Sequence, residues 1–179
     1  MDDHGSNCSK GLKVDVYWRE CSAVIEAEHV EAMTQELMRI LKLPAQRRWS
    51  PFTEPLVRAK IRERLDAASH GILRPTDEVK VLRGGREVPG TKERIYEIRW
   101  TDLMVAEDRS GTGIVTSHAT GLRLFYSEPS KLGYCMLGLV GHEKVPGDPG
   151  ARARQDAAID EAVTMYVVGY ERNWGVVRR

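Results

Sequence analysis

Residues 121–144 read GLRLFYSEPSKLGYCMLGLVGHEK. In the first half Leu122, Leu124 and Tyr126 alternate with Arg123 and Phe125. Alternation with period two is the mark of a strand whose faces see different surroundings. Glu128-Pro129 ends it, because proline cannot donate to a ladder. The second half, YCMLGLV (134–140), is an almost unbroken apolar run, which predicts a strand buried on both faces. Gly141, His142, Glu143 and Lys144 follow at its C-terminal end. Upstream, RIYEIRW (94–100) alternates in the same way. Three strands this close in sequence predict an antiparallel meander.

Working outward, Leu12, Val14, Val16 and Trp18 alternate with polar neighbours and predict a first strand. Val30, Met33, Leu37, Ile40 and Leu41 recur at helical spacing, with Ser22 as the candidate cap and Pro44 as the stop. Arg47 to Pro51 is expected to be a turn or loop. A second helix starts near Thr53-Glu54-Pro55, carries Val57, Ile61, Leu65 and Ala68 on one stripe, and ends at Gly71. DEVKVLR (77–83) reads as a short extended segment closing on Gly84-Gly85. Residues 102–120 read as a long hairpin tip in which Ile114 and Val115 pair across. Asp148 before Pro149 caps a last helix lined by Ile159, Val163, Tyr166, Val167 and Tyr170. The order β-α-α-β-β-β-α predicts an α+β fold of two layers, with the helices on one face of the sheet and the other face partly open. Residues 1–10 are polar and are expected to be a flexible N-terminus. Residues 11–175 then form one domain.

Composition narrows the classes. The 179 residues carry 27 basic and 26 acidic side chains, for a net charge of +1, and 41% hydrophobic residues. That is enough apolar surface for a core, and too balanced a charge for a non-specific nucleic-acid coat. Three cysteines (Cys8, Cys21, Cys135) without a CxxC argue against both a disulfide framework and structural zinc. With no apolar leader and no run near the ~20 residues of a membrane span, a cytoplasmic protein with reduced thiols is expected. Neither a metal nor a cofactor is implied.

Residues two apart on a strand share a face. Tyr96 and Ile98 suit the core, which turns Glu97 and Arg99 to the open side. Leu122, Leu124 and Tyr126 suit the core, which turns Arg123 and Phe125 outward. Pairing of the two strands would bring Arg99 and Arg123 together, with His142 and Lys144 at the end of the next strand. Paired arginines clamp phosphate and stabilise charge developing on it, and a histidine or lysine moves protons. Such a set suits cleavage of RNA by its own 2′-hydroxyl without a metal. The same residues also fit blander roles. Arg99 fits a surface pair with Glu97 or Glu128, and His142 fits a loop. Between Lys42 and Arg64 seven basic residues (Lys42, Arg47, Arg48, Arg58, Lys60, Arg62, Arg64) face two acidic ones (Glu54, Glu63). This segment fits either a solvated helix face or a rim that meets phosphates.

VKVLRGG (79–85), RIYEIR (94–99), LRLFYSEP (122–129) and LGLVGHEK (137–144), followed by a helix, resemble the RelE/ParE toxin superfamily in its HigB-like, phage-derived branch. The resemblance covers roughly residues 55–170. It implies a RelE-like domain and a toxin of a type II toxin–antitoxin module, an mRNA interferase that cuts messenger RNA on the ribosome without metal. The implied partners are a cognate antitoxin, the ribosome and mRNA, with no membrane. Position by position it implies Arg99, Arg123, His142 and Lys144 as catalytic, with Lys80 and Arg83 as further RNA contacts; Arg58 and Arg62, from the basic segment, are expected to bind RNA as well. The chain departs from the pattern in its longer N-terminal part, the insertion at 102–120 and a carboxylate, Glu97, beside the site. Some branches of the superfamily have lost nuclease residues and block a host protein such as gyrase, which is the alternative. A small-molecule enzyme ranks last, because no phosphate loop, HExxH or GxSxG is present.

Overall fold

Helix α1 (Glu26–Lys42) brings Val30, Met33, Leu37, Met38 and Leu41 onto one buried stripe, and Leu43-Pro44 stops it. Its N-cap is Ile25, not Ser22, and no side chain caps it. The computed structural model describes residues 5–82, 87–107 and 112–177. Helix α2 (Thr53–Ser69) begins with a reciprocal cap: Ser50 Oγ accepts from the Thr53 N–H and Thr53 Oγ1 from the Ser50 N–H, both at 3.0 Å. Gly71 ends the helix at φ +68°. An added Cβ would sit 2.4 Å from the Leu12 carbonyl, so only glycine fits this crossing.

The strands are β1 (Asp15–Trp18), β2 (Arg47–Arg48), β3 (Val79–Val81), β4 (Ile95–Glu107), β5 (Thr116–Ser127) and β6 (Cys135–Lys144). They form one mixed sheet in the order β1-β6-β5-β4-β2, with β3 also paired to β4. β1 runs parallel to β6, and every other pairing is antiparallel. The protein is therefore an α+β domain with the expected meander, β4-β5-β6, at its centre. Arg47–Arg48, expected as a loop, is a short strand against Glu107 and Ala106. The ladder between β4 and β5 runs on to Glu107↔Thr116, so most of the expected tip at 102–120 is strand. Ile114 and Val115 precede β5 and are exposed, and residues 108–111 lie outside the described ones.

Both faces of the sheet are covered near β6. Val16, Ile98, Trp100, Leu122, Leu124, Tyr126 and Met136 pack with α1 and α2. Tyr17, Ile95, Phe125, Leu137 and Leu139 pack with α3 (Ala151–Gly169) on the opposite side. The helices thus lie on both faces of the sheet, not on one as expected, and β6 gives the reason. A strand apolar on both faces needs a helix on each. Helix α3 meets the sheet through Ala158, Ile159, Ala162 and Tyr166, and Val167 points to solvent. The N-cap of α3 is Gly150 with no side-chain cap, and Asp148, the expected cap, instead accepts from the Gly150 N–H at 2.9 Å in the turn before the helix. Among the described residues no helix is long and apolar enough to cross a membrane.

Residues 5–10 are not loose. Asn7–Ser9 form a 3-10 turn with Cys8 fully buried. Ser6 Oγ lies 2.5 Å from Tyr126 Oη and donates to Glu128 Oε1 at 2.6 Å, and the Asn7 N–H reaches the same oxygen at 2.8 Å. Burial pushes the Glu128 carboxyl up to about 7. A folded value above the unfolded one stabilises docking below about 4.5, and that contribution is lost as pH rises through about 7. Hydrogen exchange at the Asn7 and Cys8 amides, corrected for intrinsic rate, is expected to show at least about tenfold more protection at pH 5 than at pH 8. Glu128→Gln should abolish the difference. An unchanged pH dependence in that variant would rule out Glu128 as its source.

Candidate functional site

The ladder lines up three of the expected site residues. Arg99 on β4 is the register partner of Arg123 on β5, and Arg123 is the partner of His142 on β6. One row across three strands thus carries two guanidiniums and an imidazole on the α3 side of the sheet. Lys144 lies two residues beyond His142, opposite Gly121. A Cβ on Gly121 would lie 3.0 Å from the Lys144 carbonyl and 3.4 Å from Arg123 Nη1, so this glycine makes room for the arginine. Lys80 pairs with Glu97 in register and shares the same face. It also lines a recess of about 820 Å³ with Thr76 and the docked segment Gly5–Lys10. The Thr76 carbonyl accepts from Arg99 Nη1 at 3.2 Å, so this recess adjoins the row.

Arg123 is only 7% exposed. Its Nη1 donates to the Trp100 and Leu122 carbonyls at 3.0 and 2.9 Å. The register slips between Trp100 and Leu103, and the guanidinium supplies a donor at that bulge. This explains how a charge is tolerated in an apolar strand. Arg123 Nε has no hydrogen-bond partner. It lies 4.0 Å from Glu97 Oε1. Burial pulls the Arg123 guanidinium below its ordinary value, Glu97 opposes this and Arg99 adds to it.

Glu97, expected on an open face, is 1% exposed. It takes a short hydrogen bond from Arg99 Nε on one oxygen and one from Gln155 Nε2 of α3 at 3.1 Å on the other. His142 stacks on Phe125 with ring centroids 6.4 Å apart, and its Nε2 is buried without a hydrogen-bond partner. Burial lowers its pKa, and Arg123 and then Arg154 lower it further. The ring is therefore neutral near pH 7 and able to accept a proton. Arg154, in the first turns of α3, pairs with Asp148 beside this end of the row.

Other expected contacts lie elsewhere. Arg58 and Arg62 both bind Glu31 of α1, at 2.8 and 2.9 Å, and so tie the two helices on the far side of the sheet. Arg83 lies outside the described residues. Of the dense basic segment, Lys42 pairs with Glu54, Lys60 with Asp102 and Arg64 with Glu78. Sequence reading missed Gln155 and Arg154, since a polar residue on an exposed helix turn carries no mark of what it meets. It also missed a buried ionic network at the β2 end of the sheet. There Arg47 binds Glu107 Oε1 at 2.7 Å, the Leu41 carbonyl at 2.6 Å and, through a short contact, Glu143. Thr120 donates to Glu143 at 2.6 Å.

Among the described residues no group of three or more His, Cys, Asp or Glu side chains is placed to hold a metal ion. Comparison of the chain with protein-family models, with curated proteins and with solved structures finds no match. The chemistry of the site therefore rests on its own geometry. Two fixed guanidiniums, a neutral imidazole and a lysine fit binding of a phosphodiester and proton transfer at an attacking hydroxyl.

Proposed function

We propose that the protein is a metal-independent endoribonuclease, the toxin of a type II toxin–antitoxin module that cleaves messenger RNA on the ribosome. The observation that carries this reading is the register row Arg99–Arg123–His142, with Lys144 beyond it. The resemblance of the strand motifs to HigB-like toxins points to the same positions. In this reading Arg123 and Arg99 bind the scissile phosphate and stabilise the charge that develops on it. Neutral His142 takes the proton of the 2′-hydroxyl, whose oxygen attacks phosphorus. The 5′-oxygen leaves and is protonated by Lys144, giving a 2′,3′-cyclic phosphate end. The proposed partners are the ribosome, mRNA and an antitoxin protein, and the proposed compartment is the cytoplasm.

Purified protein incubated with messenger RNA and programmed ribosomes should give new 5′ ends by primer extension, and few without ribosomes. Cleavage should rise with pH through a value below 6.5 and then level, because the base must be neutral. His142→Ala should lose about 10²–10⁴-fold in rate, together with this acid limb. A parent protein that cuts RNA under neither condition would end the nuclease reading.

One observation favours a second reading. Arg123 is 7% exposed, and Glu97 is buried beneath Gln155 of α3, which narrows access to the row. A protein that keeps the fold and blocks a host protein by binding, such as gyrase, is the alternative. It predicts a stoichiometric protein partner and toxicity that survives changes at Arg123.

A further inference from the structure

Glu97 is the residue of this face that binding of an anion does not call for. A carboxylate repels phosphate, yet this one is 1% exposed and sits two residues from Arg99, beside the basic row. Its oxygens are engaged. Oε1 accepts from Arg99 Nε and stands 4.0 Å from Arg123 Nε, and Oε2 accepts from Gln155 Nε2 at 3.1 Å. Arg99 and Arg123 are direct cross-strand partners, where like charges repel. Glu97 lies diagonally from Arg123 and two residues from Arg99, so a single oxygen meets both guanidiniums from beneath.

Resting on the nuclease reading of this site, we infer that Glu97 is its positioning residue: a buried carboxylate, fixed by Gln155, that holds Arg99 and Arg123 side by side for one phosphate. It is not the general base, because its two oxygens are committed to Arg99 and Gln155. Its charge has two opposed effects. It orders the arginines, which favours turnover, and it offsets part of their positive field, which weakens anion binding. Removing the charge while keeping the shape should therefore separate the two. A residue that only stabilises the fold would lower both in step with the folded fraction.

The test compares the parent protein with Glu97→Gln and Gln155→Ala. The readouts are kcat and KM for RNA, the Kd for a 2′-O-methyl RNA oligonucleotide that cannot be cleaved, and the ¹⁵N–¹H resonances of arginine Nε. For Glu97→Gln, kcat should fall on the order of 10²-fold, as misplacement of a clamp by about 1 Å does. KM and Kd should hold or tighten. The Arg99 Nε–H resonance, ordered in the parent, should broaden or move. Gln155→Ala should lose about threefold in kcat with unchanged thermal stability. An unchanged kcat and an unchanged Arg99 resonance in folded Glu97→Gln would overturn the inference, as would losses of kcat and binding that track unfolding. Should Glu97→Gln fail to fold, Gln155→Ala decides by the same readouts. A parent that cleaves no RNA removes the nuclease reading but not this test. The arginine resonances and the oligonucleotide Kd then decide whether Glu97 orders the pair.

Discussion

If the proposed nuclease reading holds, replacing Arg123 by lysine is expected to lower RNA cleavage by about 100-fold or more while the protein stays folded. Lysine keeps the charge and can still donate to the Trp100 carbonyl at the bulge, which Arg123 Nη1 now reaches at 3.0 Å. It cannot reproduce a planar fork that serves the bulge with one nitrogen and a phosphate with the others. Arg123→Ala should lose at least as much activity. It should also cost about 1–3 kcal/mol in stability, since two backbone carbonyls lose a donor in a buried place. The pair of variants separates the two roles of the residue. Steady-state cleavage, with melting temperatures measured alongside, gives the answer. Arg123→Lys with parental activity would mean that this arginine serves only the bulge, and the active-site assignment would fall with it.

The largest expected effect on stability is at Arg47, whose ion pairs lie on the other face of the sheet from the basic row. Its side chain is 2% exposed and holds both Glu107 and Glu143. Arg47→Met keeps the apolar stem and takes from two buried carboxylates the guanidinium that bridges them, while the His118 ring stays 3.2 Å from Glu107. Breaking a buried pair in this way costs about 3–5 kcal/mol. At roughly 2–4 °C per kcal/mol for a chain of this size, the melting temperature should drop by on the order of 10 °C. Adding Glu107→Leu and Glu143→Leu should restore most of the loss, because matched apolar groups are often as stable as the ions they replace. A melting temperature within about 2 °C of the parent for Arg47→Met would show that the network contributes little. Glu143 sits between His142 and Lys144 on β6, with its side chain on the opposite face. The network therefore also fixes the strand end that presents those two residues.

Much of the fold was legible because periodicity records burial. Alternation in 94–100 and 121–127 gave strands, the helical stripe in 30–41 gave α1, and the apolar run at 134–140 gave the central strand β6. Helix ends written in local chemistry, Pro44 and Gly71, were legible too. The same alternation placed Arg99 and Arg123 on one face, since strand parity is a property of the sequence alone. Other features needed the assembled sheet. Parity does not give register, and the alignment of Arg99, Arg123 and His142 in one row depends on where the hairpins turn and where the bulge falls. The docking of residues 5–10 depends on Glu128 and Tyr126, more than a hundred positions away. Arg47 reads as a loop cation by itself and becomes a buried ion only because β4 and β6 bring carboxylates to it. Glu97 reads as a surface partner for Arg99, and it is the packing of α3 that seals it. The residue types and the faces they share were set by the sequence. Which charges meet, and which lose water, was decided by contacts between distant segments, and desolvation with pairing is what turns an ordinary arginine or glutamate into part of a site.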